Sequence, residues 1–237
     1  ENDQFKRVKG VYFDAGGTLL HPHPSVGEIY ALVLRRWGVD LPAPMLQAAF
    51  RDSWTRLTRT PKDFTSEETE KEWWRKLVLM TLETRERPED FDRFFEDLYL
   101  SFSSAEYWRL HEGSLDCIHA LRRSGLKTGI ISNWDHRLRS ILAGTPLCDV
   151  MDDVIISSEV GCEKPDPRIF AEGARRWRFE PPELLYVGDS VHHDIEPCRK
   201  LGWSAVLIHP HESPPRDVNV GASFGEICRL LGVKTNS

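Results

Sequence analysis

The chain lacks any apolar stretch approaching the roughly 20 residues that cross a bilayer, any basic block, any C-x-x-C pair, any internal repeat and any low-complexity tract. Each absence excludes something. Without a long apolar run, a membrane is not an expected partner, and no secretory signal is visible. Its 31 basic and 37 acidic residues are interleaved to a net charge of −6, so nucleic acid is not an expected partner either. The five cysteines (Cys117, Cys148, Cys162, Cys198, Cys228) are odd in number and scattered. That usage argues against a zinc site and for a reducing compartment, hence a cytoplasmic location. Apolar content of 40% and charged content of 29% suit an ordinary globular protein, and 237 residues allow one large domain or two modest ones.

What is present has two textures. Residues 8–14 (VKGVYFD) are an apolar run ending in Asp14, followed by Ala-Gly-Gly-Thr, which predicts a buried strand and a tight turn. From about Gly113, strand-like runs at 127–133, 153–158, 184–189 and 204–209 alternate with helical stretches at 114–124, 136–143, 167–178, 194–201 and 223–231. Short Val/Ile/Leu runs separated by amphipathic helices predict a doubly wound parallel sheet, Rossmann-like, in an α/β core. Residues 24–107 show no convincing strand and read as four helices, 25–37, 44–58, 66–85 and 88–103, the third opening at Ser66. Their dense aromatics, from Trp37 to Trp108, stand at helical spacing and are expected to pack as core. The chain thus divides into a core of residues 1–21 and 109–237 and an inserted all-helical cap of residues 22–108. Residues 210–220 read as a surface loop.

Ligands of open parallel sheets bind beyond the carboxyl ends of the strands. Asp14, Ser132 and Asp189 fall there, and Lys164 lies in the loop after the 153–158 strand. Three carboxylates gathered at such an edge (Asp14, Asp189, Asp194) would repel one another. At ~4 Å and an effective dielectric of about 20, each pair costs on the order of 4 kcal/mol. A divalent cation relieves this, and all-oxygen ligation favours Mg2+. Lys164 opposes the same charge, while Ser132 and the N–H groups of the Gly16-Gly17 turn can hold phosphate oxygens. A carboxylate beside such a phosphate can serve as a nucleophile.

F-D-A-G-G-T-L (13–19), I-I-S-N (130–133), S-E-V-G-C-E-K-P-D-P-R-I-F (158–170) and V-G-D-S-V-H-H-D (187–194) resemble, in order, the four motifs of the haloacid dehalogenase (HAD) superfamily. The resemblance covers the whole chain, and the helical insert is similar to the superfamily's type-1 cap. Within the superfamily the chain most resembles the group of haloacid dehalogenase-like hydrolase domain-containing protein 3. The resemblance implies a hydrolase, a phosphatase acting on a small phosphorylated molecule. Asp14 would be nucleophile and Mg2+ ligand. Ser132 would bind the phosphoryl group, with Asn133 beside it, and Lys164 would pair with both. Asp189 and Asp194 would complete the metal site, together with the backbone carbonyl of Gly16. Monomer and homodimer stay equally open.

The chain departs from that pattern at Gly16, where family phosphatases carry a second Asp that protonates the leaving oxygen. Such assistance is typically worth 10²–10⁴-fold, or roughly 3–5 kcal/mol. Three readings follow: a phosphatase that is weak or takes a substrate with a good leaving group; a 2-haloacid dehalogenase or phosphonatase; a catalytically weak or inactive interaction protein. Dehalogenation needs no proton, but the acidic pair Asp189 and Asp194 argues against it, and a phosphonatase needs a cap lysine, for which Lys62, Lys71 and Lys76 carry no distinguishing signal. His21 or His23 could supply the missing proton, although a solvated loop suits them better. His192 and His193 are expected to face solvent. Asp194 could instead cap the 194–201 helix. Trp134 and Asp135 could touch substrate. Glu159 and Glu163 are expected to fix the loop that presents Lys164, and Cys162 to have no chemical role.

Overall fold

The structure, a computed structural model, describes residues 3–59, 67–209, 218–221 and 223–234. Lys62, the helix start at Ser66 and residues 210–217 of the expected surface loop lie outside the described residues. Backbone contacts divide the chain into two units. One comprises the described residues of Glu1–His21, Leu110–Asp135 and Thr145–Ser237; the other comprises those of Pro22–Arg109 and His136–Gly144.

The first unit is built on a parallel sheet of β1 (Gly10–Phe13), β4 (Lys127–Ser132), β5 (Asp153–Ile156), β6 (Leu184–Gly188), β7 (Ser204–Ile208) and β8 (Val220–Gly221), in the order β5-β4-β1-β6-β7-β8. β1 is central, with Phe13 level with Ile130 on one side and Val187 on the other. The chain runs outward from β1 through β4 to β5 and then returns to β6 on the opposite side. The direction of winding therefore reverses at β1, where a crevice opens at the carboxyl ends. Every residue of β1 and β6 is buried, as strands covered on both faces require. On one face Tyr12 stacks on Trp177 with centroids 3.9 Å apart, and on the other Phe13 packs near Phe224. α5 (Ser114–Arg123), α8 (Pro167–Trp177), α9 (Glu196–Lys200) and α10 (Phe224–Leu230) flank the sheet.

The second unit holds α1 (Val26–Arg36), α2 (Ala43–Leu57), α3 (Glu67–Thr81), α4 (Phe91–Ser101) and α6 (Arg137–Ala143). Ser25 and Asp90 cap α1 and α4 by accepting from the amides of Glu28 and Arg93. Ile29, Leu34, Leu46, Val78, Phe94 and Leu98 form its core. Phe94, Phe95 and Tyr99 are buried there, while Trp37, Phe50, Trp74 and Phe91 pack against it half-buried.

The sequence assigned 136–143 to the sheet's helices, yet α6 groups with the second unit. Buried Arg137 lays its guanidinium over Tyr99 (3.9 Å) and Trp74 (4.8 Å), a cation–π anchor that apolar periodicity does not register. Two short strands, β2 (Leu20–Pro22) and β3 (Trp108–Leu110), pair where the chain passes between units. Val220 belongs to β8 rather than to a loop. After β5 the chain turns at once into α7 (Ser157–Val160), so the 153–158 strand is shorter than its apolar run. The expected 194–201 helix begins as a π-turn, Val191–Ile195, before α9. No helix among the described residues is long and apolar enough to cross a membrane.

Candidate active site

Asp14 follows β1 directly, and its amide donates to Val187 O on β6. The residue is 6% exposed, and its carboxylate accepts from Ser132 Oγ at 3.0 Å and from Lys164 Nζ at 2.7 Å. Ser132 ends the neighbouring β4. Lys164 reaches the same point from the loop before α8, a loop set by its own sequence. Asp166 caps α8 by accepting from Arg168 N, and Pro167 occupies the first turn, where no amide is needed.

Lys164 Nζ, 3% exposed, meets three oxygens: Asp194 Oδ1 at 2.6 Å, Asp14 Oδ1 at 2.7 Å and the Tyr186 hydroxyl at 2.9 Å. Burial alone would lower its pKa, but the adjoining Asp14 and Asp194 carboxylates hold it above its ordinary value. Tyr186 in turn donates to Ile131 O at 2.6 Å, which fixes the hydroxyl as an acceptor for the lysine. Asn133 exchanges two hydrogen bonds with the Lys164 backbone, donating to its carbonyl (2.8 Å) and accepting from its amide (2.7 Å). The amide side chain expected beside a phosphoryl group is therefore engaged in presenting Lys164.

Asp194 sits in the π-turn. The cap of that turn is Ser190, whose Oγ accepts from His193 N, while Asp194 Oδ2 accepts from Ser190 N at 2.9 Å. The alternative of Asp194 as helix cap is thus overturned. Two glycines clear space for the carboxylates: a Cβ on Gly188 would collide with Asp194, and one on Gly17 with Asp189. Gly17 also adopts φ +84°, which disfavours side chains, and its amide donates to Leu20 O at 2.8 Å within the turn. The N–H expected to hold phosphate is accordingly part of the turn.

One oxygen from each of Asp14, Asp189 and Asp194 lies within 4.8 Å of the others, a group that could hold a metal ion. Burial, followed by the Asp14 and Asp194 charges, pushes the Asp189 carboxyl up to about 8. Burial also raises Asp14, against the pull of Lys164. With all four groups ionised, three carboxylates and one ammonium sum to −2, which a divalent ion would neutralise; hard oxygen donors at this spacing fit Mg2+.

Gly16 lies beneath an aromatic ring. A Cβ there would stand 2.9 Å from Trp134 Cζ3. Trp134 is held through its backbone: its amide donates to Ser157 Oγ, and Ser157 Oγ donates to its carbonyl, both at 3.1 Å. Among the other candidates, His23, His192 and His193 are exposed. His21 is half-buried with its ring 4.6 Å from that of His111, not in an open loop. Asp135 is buried, Cys162 is half-buried with its thiol pushed up by burial, and Glu163 O accepts from Asp166 N in the lysine loop. Sequence reasoning missed Tyr186 and Ser190. Tyr186 carried a signal, since a tyrosine in a buried strand must find a partner for its hydroxyl. Ser190 is polar at a strand end, as many caps are, and nothing local set it apart.

The profile of the haloacid dehalogenase-like hydrolase family matches residues 8–202. The chain is 33% identical to mouse haloacid dehalogenase-like hydrolase domain-containing protein 3, over 86% of this chain and 84% of that one. It is 32% identical to the glyceraldehyde 3-phosphate phosphatase of Methanopyrus kandleri, over 43% and 44% of the two chains. Among solved structures it resembles a defluorinating L-2-haloacid dehalogenase (TM-score 0.77, 16% identity, covering 97% of this chain and 98% of that one). It also resembles the HAD-hydrolase YfnB of Bacillus subtilis bound to magnesium (TM-score 0.74, 20% identity, covering 96% and 100%). At those identities the structures speak for the fold.

Proposed function

The chain belongs to the haloacid dehalogenase-like hydrolase family, and from that premise we propose that it is a Mg2+-dependent phosphatase of small phosphate monoesters, with Asp14 as nucleophile. The observation that carries this reading is the convergence of Asp14, Asp189 and Asp194 within 4.8 Å about the buried Lys164 ammonium. Two buried acids, Asp14 and Asp194, with half-buried Asp189 at that spacing suit a divalent cation. Asp14, Asp189, Asp194 and the Gly16 carbonyl would hold the ion, which supplies positive charge to offset that of the phosphoryl oxygens. Ser132 Oγ and Lys164 Nζ, already on Asp14, would meet the same phosphoryl oxygens and orient the group for in-line attack. Lys164 also pulls Asp14 towards its ionised form, the form that attacks, against the effect of burial. Asp14 would displace the alcohol, and water would then free the carboxylate and release phosphate. The phosphatase named among the relatives and the magnesium-bound structure named among the neighbours support the reading. Five free cysteines suit a compartment that keeps thiols reduced, as the cytoplasm does.

A second reading, 2-haloacid dehalogenase, draws on Gly16, since halide leaves without a proton, and on the fold of the dehalogenase neighbour. A screen of phosphate esters with and without Mg2+, run beside Asp14→Asn, tests the first. Turnover that needs both the ion and Asp14 supports it, and turnover indifferent to both removes it. Chloride release from 2-chloropropionate without metal would install the second.

A further inference from the structure

We infer that Trp134 is a specificity-determining residue that stands where the family's proton donor would be, and that it fits the site to aryl phosphates. The inference rests on the phosphatase reading above and adds the substrate class.

The starting observation is steric. Gly16 has no side chain, and the space a side chain would enter holds the six-membered ring of Trp134. From an ideal Cβ on Gly16, Cζ3, Cη2 and Cε3 of that ring lie at 2.9, 3.6 and 3.8 Å. An aspartate placed there would drive its carboxylate into hydrocarbon. The backbone that carries the ring is tied down. Ser157 Oγ holds the Trp134 backbone at both its amide and its carbonyl, and Ser158 N donates to the same carbonyl at 3.4 Å. The two preceding residues are fixed as well, Ser132 on Asp14 and Asn133 on the Lys164 backbone. Two residues past the nucleophile, then, the site presents an apolar, half-buried indole and no proton donor.

Chemistry follows from that exchange. Asp14 attacks phosphorus, the bond from phosphorus to the ester oxygen breaks, and its electron pair leaves on that oxygen. With no acid at position 16 the oxygen departs as an anion and takes its proton from solvent. Water then attacks the aspartyl-phosphate, returns its proton to solvent and restores the Asp14 carboxylate. The sum is ester plus water giving alcohol plus phosphate. An unassisted departure suits a phenolate, whose conjugate acid titrates near that of tyrosine, about 10. It does not suit an alkoxide, whose conjugate acid is far weaker, close to bulk water. The indole supplies what the acid does not, an apolar surface on which an aromatic leaving group packs.

The test is a leaving-group series on the full chain with Mg2+: p-nitrophenyl phosphate, phenyl phosphate and glycerol 1-phosphate, with wild type, Asp14→Asn, Trp134→Phe, Trp134→Ala and Gly16→Asp/Trp134→Ala. We expect wild-type kcat/KM to fall by about 100-fold or more from the nitrophenyl to the alkyl ester, the span an absent general acid leaves open. Trp134→Ala should raise KM for the aryl esters about tenfold and leave the alkyl ester unmoved, with Trp134→Phe restoring the aryl preference. The double variant should recover alkyl turnover and flatten the series. Asp14-dependent turnover with no leaving-group preference, or an aryl KM indifferent to Trp134→Ala, overturns this inference and spares the phosphatase. No Asp14-dependent turnover of any ester overturns the phosphatase reading and this inference with it. Trp134→Phe keeps the test alive should the alanine variants misfold.

Discussion

Lys164 shows what one buried charge does here. Its ammonium is 3% exposed and shared between Asp14 and Asp194, so removing it leaves two buried carboxylates facing each other. Breaking a buried pair by deleting one partner costs about 3–5 kcal/mol. Lys164→Met should therefore lower the urea midpoint by that equivalent and, on the phosphatase reading proposed above, reduce kcat at least about 100-fold. Tyr186→Phe is milder, because it removes only the hydrogen bond to Ile131 O and one of the lysine's three acceptors. It should cost about 1–3 kcal/mol in the same titration. His111 makes the opposite point, a base kept neutral. Burial, with His209 and His21 beside it, lowers its pKa to about 4, and its Nε2 has no hydrogen-bond partner among the described residues. In the unfolded chain it takes up a proton near 6.5, while the folded form resists until about 4. The unfolded state thus binds more protons in that window, so the stabilisation present above 6.5 is lost as pH falls towards 4. Since the ring is half exposed, screening reduces the effect to on the order of 1 kcal/mol. His111→Phe should shrink the gap between Tm at pH 7 and at pH 5, and a gap left unchanged would locate the acid sensitivity elsewhere.

Elements were legible where their pattern is local. The runs ending at Asp14, Asn133 and Asp189 read as strands because apolar residues crowd between turn formers, and β1, β4 and β6 lie there. Less legible was what depends on a neighbour in space. The apolar run after Asp153 extends past Ile156, but the backbone turns into α7, where Ser157 ties down Trp134. Likewise the 194–201 periodicity did not disclose a π-turn, which exists because the Asp194 carboxylate folds back to the Ser190 amide. Gly129 is the same kind of residue within a strand. It sits level with Tyr12 in the β1–β4 register, and a Cβ on it would meet the Tyr12 ring at 2.6 Å, with Asp153 O and the Trp177 ring at 2.9 Å. The gap admits the Tyr12–Trp177 stack, so Gly129→Ala should destabilise by about 1–3 kcal/mol through overpacking despite the better strand propensity of alanine. Chemical denaturation measures this; a variant as stable as wild type would mean that the stack shifts without loss.

At the scale of the whole molecule, motif order carried the most information. Five functional side chains spread from residue 14 to residue 194 could be assigned to one sheet edge because parallel topology gathers strand ends, and the structure brings Asp14, Ser132, Lys164 and Asp194 into direct contact, with Asp189 within reach of a shared ion. Membership of α6 in the helical unit was not legible, since Arg137 is held by rings more than thirty residues away in sequence. The charge of the assembled site has a consequence for the fold as a whole. Asp14, Asp189, Asp194 and Lys164 sum to −2 when ionised, and only folding forces the three acids together, so a divalent ion should bind the folded chain far better than the unfolded one. At 100 times its dissociation constant such an ion stabilises by about 2.7 kcal/mol. For a domain of this size that is a rise in Tm of roughly 5–10 °C. Asp189→Asn should raise the Tm of the metal-free protein, because it relieves repulsion without taking a partner from Lys164, and should abolish most of the Mg2+ response. Scanning calorimetry of both proteins with Mg2+ or with a chelator separates the terms. A variant that still gains the full rise would place the ion away from these carboxylates, and a wild type that gains nothing would mean that they hold no divalent ion.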